Sequence, residues 1–153
     1  MNLKQFISPE AVLSDLKAKD KVSVLTELVR PLLDLNPGLD KDHLVEILLE
    51  REKLGSTGIG DGIAIPHGKV EKLDRLLISF GRSSEGIDFD SMDGRPAHLF
   101  FLLLAPESST SSHLTALAQL SRLLKNKSFR EELLNARAPD DLFHLIVEAS
   151  DED

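Results

Sequence analysis

From Ala97 to Ala105 the chain reads Ala-His-Leu-Phe-Phe-Leu-Leu-Leu-Ala, apolar at every position but His98. Successive strand residues face opposite sides of their sheet, so a run with no polar alternation reads as a central strand buried on both faces. Arg75 to Phe80 reads as a second strand and Ile63-Ala64-Ile65 as a short buried one. A short edge strand fits Ile87 to Phe89, at the start of a turn-rich stretch. Helical signals flank these strands. Val22, Leu25, Leu28, Val29, Leu32 and Leu33 recur at helical spacing, and Asn36-Pro37-Gly38 ends that helix. Asp40 caps a second helix, with Leu44, Ile47 and Leu48 inward and Gly55 as its stop. The hydroxyl run Ser108 to Ser112 supplies caps for a helix beginning near His113, with Leu114, Leu117, Ala118, Ser121 and Leu124 on one face. Two more helices are predicted over Phe129 to Asn135 and Asp140 to Glu148. Near the start, Ser8-Pro9-Glu10 has the N-cap and first-turn proline of a helix, although Val12, Leu13 and Leu16 fit a strand equally well. Helices, then strands, then helices predict an α/β fold: a mixed sheet covered by helices. One domain over residues 1–150 is expected, with 151–153 an acidic frayed tail.

The net charge of −8 argues against sequence-independent nucleic-acid binding, which needs clustered Lys and Arg, and against docking on anionic membranes. Charged partners should present basic faces. The chain has no cysteine, hence no disulfide and no thiolate metal site, which is compatible with a cytoplasmic protein. No apolar signal core follows Met1-Asn2-Leu3-Lys4, and Leu99 to Ala105 is too short to span a bilayer.

Between the second helix and the strands lies Gly55-Ser56-Thr57-Gly58-Ile59-Gly60-Asp61-Gly62-Ile63-Ala64-Ile65-Pro66-His67-Gly68-Lys69, with four glycines in the eight positions from Gly55 to Gly62. Such density lets backbone approach a ligand closely. Pro66 fixes its own φ and biases Ile65 toward an extended conformation. His67 is therefore expected at a stiff strand end beside a glycine loop, presented rather than buried. Among the other histidines, His43 reads as a solvated helix residue, His98 as a strand-edge residue and His144 as partly packed. His113 falls in the first turn of a helix, where partial positive charge disfavours imidazolium and attracts anions. A neutral ring there can donate to a phosphate oxygen; a solvated first-turn residue is the alternative.

Familiar site patterns are absent. The P-loop spacing fails because Ile63 stands where the first glycine belongs and Val70 replaces the hydroxyl. Gly58-Ile59-Gly60 meets Ile63 where a dinucleotide fingerprint needs a third glycine. His67 and His113 lack zinc-ligand spacing, so no metal or cofactor is expected, and no nucleophile elbow supports a Ser-His-Asp triad. What remains is phosphoryl transfer through histidine. A neutral imidazole is a competent nucleophile near pH 7, provided its other nitrogen is held so that the right tautomer faces the donor. Amides of the glycine loop, the ring of His113 and Arg51, at the end of the helix that feeds the loop, would stabilise the transferred group. For Arg51, a surface pairing with Glu50 or Glu52 fits equally well.

The run Arg51-Glu52-Lys53-Leu54-Gly55-Ser56-Thr57-Gly58-Ile59-Gly60, continuing through Ile65-Pro66-His67-Gly68-Lys69, resembles the IIA domains of the bacterial phosphotransferase system, in the mannitol/fructose/nitrogen-regulatory branch. A second block agrees: Leu104-Ala105-Pro106-Glu107, then His113-Leu114 and Leu117-Ala118-Gln119-Leu120-Ser121-Arg122-Leu123-Leu124. The resemblance runs from about Leu3 to Ile146. It implies a mixed parallel/antiparallel sheet with helices on both faces. It also implies that His67 accepts a phosphoryl group from an HPr-type carrier and that His113 hydrogen-bonds the group. Arg51 would sit near the site, beside a phosphoryl loop of Gly55, Ser56, Thr57 and Gly58. A chain of this length without a fused IIB segment resembles the nitrogen-regulatory type. There, a phosphotransferase component controls regulatory target proteins by its phosphorylation state. The alternative is a sugar-specific IIA that passes phosphate to a IIB domain for uptake.

Overall fold

The computed structural model describes residues 2–151; Met1 and, from the predicted acidic tail, Glu152 and Asp153 lie outside them. After a short 3-10 turn at Leu3–Gln5, the elements in order are β1 (Ile7–Leu13), α1 (Lys21–Leu35), α2 (Lys41–Lys53), β2 (Gly58–Gly60), β3 (Ile63–Ala64), β4 (His67–Val70), β5 (Leu77–Ile87), β6 (Ala97–Pro106), α3 (Thr110–Leu124), α4 (Lys127–Asn135) and α5 (Pro139–Asp151).

The apolar run at Ala97 to Ala105 is the central strand. β6 runs antiparallel to β5 along one edge, with Leu77 opposite Leu104 and Ile87 opposite Ala97. Along its other edge it is parallel to β3 and then to β4, with Ile63 opposite Leu99 and His67 opposite Leu103. The sheet order is β1-β5-β6-β3-β2, with β4 also on β6. It is mixed, with β1 parallel to β5 and β2 antiparallel to β3. Along β6, Leu99, Phe101 and Leu103 pack into one cluster with α3, α4 and α5 residues such as Leu120, Leu133 and Ile146. Phe100, Leu102 and Leu104 pack into the opposite cluster with Val24, Leu25 and Leu28 of α1 and Leu44 and Leu48 of α2. Both faces are covered from Leu99 to Ala105, so neither register position of that stretch tolerates an unpaired polar residue.

Both of the first two long helices are capped by an aspartate, the second of them the expected Asp40. Asp20 accepts from the Ser23 amide at 2.8 Å and Asp40 from the His43 amide at 3.1 Å, each satisfying one orphan N–H of its helix. Three expectations change. Ser8-Pro9-Glu10 lies inside a strand, not at a helix start. Pairing with β5 outweighs the local cap signature, and a register irregularity between Ile7 and Val12 accommodates the proline on an edge strand. The turn after β2 is a tight hairpin rather than open loop: Asp61 (φ 57°) and Gly62 (φ 78°) are both left-handed, as a two-residue connection demands. In α3, which starts at Thr110, the inward stripe is His113, Ala116, Leu120 and Leu124, while Leu114 is 59% exposed. Among the remaining histidines, His43 is exposed as expected, His98 lies half-buried at the start of β6, where the sequence put it, and His144 is exposed rather than partly packed.

Candidate functional site

His67 opens β4 directly after Pro66, at the C-terminal half of the sheet's parallel part. Its Nδ1 lies 2.8 Å from the carbonyl oxygen of Ile65, two residues back. A carbonyl only accepts, so Nδ1 carries the proton and Nε2 keeps its lone pair. That lone pair accepts from Arg51 Nε at 3.3 Å. Arg51, on the last turn of α2, also donates Nη1 to the Gly55 carbonyl at 2.9 Å, which anchors the guanidinium to the start of the glycine loop. Glu50 pairs with Lys53 and Glu52 with Lys21, so neither carboxylate takes up Arg51.

His113 arrives from α3. Its ring centroid is 5.3 Å from that of His67, with the planes at 71°, an edge-to-face contact. The ring is only 6% exposed, and its Nδ1 has no hydrogen-bond partner. An unpartnered buried N–H costs more than an unpartnered lone pair, which assigns the proton to Nε2. Burial pushes both imidazoles below the ordinary histidine pKa. For His67 the Arg51 guanidinium adds to the depression, while the Ile65 carbonyl and the Glu52 carboxylate oppose it. For His113 the neighbouring His67 and Lys69 add to it. Both rings are thus neutral at pH 7, one an acceptor at Nε2 and the other a donor at Nε2.

The two rings line an open cavity of about 490 Å³ together with Ile47, Glu50, Arg51, Leu54, Gly68 and Lys69. Its mouth is apolar on one side, where Leu54 is 84% exposed. The sequence brought His67, His113 and Arg51 forward, and the fold unites them although they come from β4, α3 and α2.

The glycine loop sits differently from its expected place. Gly55, Ser56, Thr57 and Gly58 are not among the residues that line this cavity; the Gly55 carbonyl receives Arg51, and the hydrogen bonds of their amides and hydroxyls run to Glu52, to Phe89 and within the loop. The Gly55 amide donates to the Glu52 carbonyl, the Thr57 amide to the Glu52 carboxylate, and the Gly58 amide to Ser56 Oγ. Ser56 Oγ itself donates to the Phe89 carbonyl at 2.6 Å. The close approach that the glycines permit is to the segment after β5, since a Cβ on Gly58 would collide with Ser91. Sequence reasoning missed the buried Glu52 and its partner Lys21. The available signal was spacing: Leu44, Leu48 and Glu52 recur every fourth residue on the inward face of α2. Among the described residues no cluster of three or more His, Cys, Asp or Glu side chains could hold a metal ion, and no helix is long and apolar enough to cross a membrane.

Residues 5–149 match the family model described as phosphoenolpyruvate-dependent sugar phosphotransferase system, EIIA 2. The chain is 41% identical to a nitrogen regulatory protein of Bradyrhizobium diazoefficiens, over 96% of this chain and 95% of that one. It is 38% identical to the fructose-specific EIIABC component of Bacillus subtilis, over 95% of this chain and 23% of that larger protein. Among solved structures, the nitrogen regulatory protein IIA-Ntr from Neisseria meningitidis superposes with a TM-score of 0.87 at 32% identity, covering 94% of this chain and 98% of that one.

Proposed function

The chain belongs to the EIIA 2 family of the phosphoenolpyruvate-dependent sugar phosphotransferase system, and on that footing we propose that it is a histidine phosphocarrier whose acceptor atom is His67 Nε2. One observation carries the proposal: a half-buried neutral imidazole with Nδ1 pinned to the Ile65 carbonyl and its lone pair turned toward a cavity shared with a second imidazole and an arginine. The donor is an HPr-type protein bearing a phosphohistidine. The Nε2 lone pair attacks phosphorus, the P–N bond of the donor breaks, and the donor nitrogen keeps the bonding pair. The Ile65-bound proton stays on Nδ1, so no proton has to move within this chain. The ring of His113 and the guanidinium of Arg51 donate to the phosphoryl oxygens, charge-assisted bonds in a site partly screened from water.

The downstream role we propose is regulatory: partner proteins distinguish the phosphorylated from the free form. Near-full mutual coverage of a nitrogen regulatory protein at 41% identity supports this. Onward transfer to a IIB domain for sugar uptake is the second reading, favoured by the 38% identity to a fructose-specific component. Phosphorus NMR after incubation with phosphoenolpyruvate, enzyme I and HPr tests the acceptor. A phosphoimidazole resonance assigned to Nε2 is expected, absent in His67→Ala; labelling that survives His67→Ala would overturn the reading. Addition of a IIB domain separates the roles, since rapid loss of label to IIB and sugar supports transport.

A further inference from the structure

Behind the acceptor lies a buried carboxylate that takes no part in the step above. The side chain of Glu52 is 4% exposed. It binds Lys21 Nζ at 3.0 Å, receives the Thr57 amide at 3.2 and 3.3 Å, and accepts from Thr57 Oγ1. Lys21 is itself held, 3.1 Å from Asp90 and with its ammonium 4.7 Å from the Phe89 ring centroid. Thr57 leads onward: its carbonyl accepts from the Ile65 amide at 3.0 Å, and the Ile65 carbonyl accepts from His67 Nδ1 at 2.8 Å. Four groups separated along the chain therefore form one line of contacts, Glu52 to Thr57 to Ile65 to the His67 ring.

We infer that Glu52 is a positioning residue for phosphoryl transfer, its carboxylate fixing Thr57 and, through Ile65, the orientation and tautomer of His67. The inference rests on the phosphoacceptor reading of His67. The physical case is one of over-determination. Residues 54–57 connect α2 to the short strand β2, and a three-residue strand supplies little rigidity of its own. Thr57 is 4% exposed and has both its amide and its hydroxyl on one carboxylate, which leaves the residue a single position. Its carbonyl then sets where Ile65 lies, and a carbonyl displaced by a fraction of an ångström would release Nδ1–H and let the ring rotate or change tautomer. Because α2 carries both Arg51 and Glu52, the same helix end fixes the acceptor ring from behind and the guanidinium in front. The ion pair with Lys21 holds the carboxylate on the other side, so its oxygens stay fixed beneath the Thr57 donors.

Two double variants separate positioning from stability, because removing one partner of a buried ion pair can unfold a domain while removing both is often tolerated. Lys21→Met/Glu52→Met deletes the acceptor; Lys21→Met/Glu52→Gln replaces it with a neutral one that can still receive the Thr57 amide. Both are expected to have similar urea midpoints. The unphosphorylated proteins are compared by nitrogen-proton NMR of the imidazoles, with no donor present. The Met pair is expected to lose the sharp Nδ1–H signal of His67 and to label from phospho-HPr about tenfold more slowly or worse, the scale of a small misplacement of reacting groups. The Gln pair is expected to recover the signal and most of the rate. A Met pair that keeps the Nδ1–H signal and labels like the parent overturns the inference, as do two equally slow variants. Failure of the acceptor reading looks different: the parent chain itself would not label, whereas the NMR comparison would still report on the ring.

Discussion

Adding one methyl group at Gly68 should part the two elements that bring Arg51 to His67. Gly68 follows His67 on β4, is buried, and has no left-handed φ, so alanine is allowed by the backbone and the cost is purely steric. A Cβ there would lie 2.6 Å from Ile47 Cγ2 and 3.8 Å from Leu48 Cδ2, both on α2. Ordinary contact begins near 3.4 Å, so helix and strand must separate locally by about 0.8 Å. Overpacking of this kind costs about 1–3 kcal/mol, which for a domain of this size lowers the thermal midpoint by roughly 2–12 °C. The functional effect follows from the same displacement. Arg51 lies one helical turn beyond Ile47, and its Nε already stands 3.3 Å from His67 Nε2; a retreat of about 0.8 Å takes that contact beyond hydrogen-bond range. Gly68→Ala should therefore be both less stable and slower to label from phospho-HPr. Ile47→Ala removes the opposing Cγ2, so the double variant should regain stability beyond the sum of the two single effects by about 1 kcal/mol or more, in a urea-melt double-mutant cycle. Gly68→Ala with the parent's midpoint, or a double variant that is merely additive, would refute the claim that this close approach sets the spacing.

Arg51→Ala removes a cation that depresses the His67 pKa, so the imidazole titration followed by NMR should move upward while labelling slows; an unmoved titration would mean the guanidinium does not face the ring in solution. On the proposed reading His113→Ala deletes a donor to the transferred group and should slow labelling by roughly 10²-fold with little loss of secondary structure, read by rapid quench and circular dichroism. Because the pKa values of His67 and His113 are lowered in the folded chain, the unfolded chain binds more protons below about pH 6.5. Stability should therefore be full above that pH and fall as pH drops through the folded values. Urea midpoints at two pH values give the slope, which should flatten in His67→Gln/His113→Gln. Leu54→Glu, at a side chain 84% exposed on the cavity mouth, should leave the unfolding free energy from urea melts within about 0.5 kcal/mol of the parent yet weaken transfer from the carrier. An unchanged transfer rate would place the docking surface elsewhere.

The parts legible in the sequence are those where one physical signal dominates. β6 was readable because no other environment accepts Leu99 to Ala105, and α1 because its leucines keep helical period through Pro31. β1 was ambiguous because Ser8-Pro9-Glu10 carries a local helix signature that only pairing with β5 overrules. The inner stripe of α3 was misphased because one of its inward residues is His113, which reads as polar, so the overlapping stripe through Leu114 looked more apolar. The stiff Pro66 junction and the helix end marked His67 and Arg51 as candidates, and the fold sets the two side chains in contact. The glycine loop was half legible. Its density did mark a close approach, but the partner is Ser91 and its neighbours, and no one-dimensional pattern reveals which backbone will lie alongside. Glu52 shows the converse. A carboxylate in phase with Leu44 and Leu48 announces a buried charge, yet its counterion Lys21 comes from α1, and only the packing of the two helices joins them.

At rest the lone pair needed for attack is occupied, and the identity of its occupant matters. A proton on Nε2 would abolish nucleophilicity; an Arg51 N–H cannot become that proton, because a guanidinium in a protein donates hydrogen bonds without giving its protons up. Burial and the adjacent positive charge both oppose imidazolium, so the lone pair is shared with a donor that leaves without chemistry. On the proposed reading that donor has only to turn from nitrogen to a phosphoryl oxygen while Nη1 keeps its hold on Gly55. A hydrogen bond to a neutral nitrogen is then exchanged for a charge-assisted one. His113 complements this from the other side, since a ring with an unpartnered buried Nδ1 is unfavourable as imidazolium and so offers one N–H and no mobile proton. On that reading, a site with its proton inventory frozen in this way would take up and give back a phosphoryl group along the same path. Reversibility of that kind suits a carrier, whether its phosphate is destined for another domain or serves only as a signal.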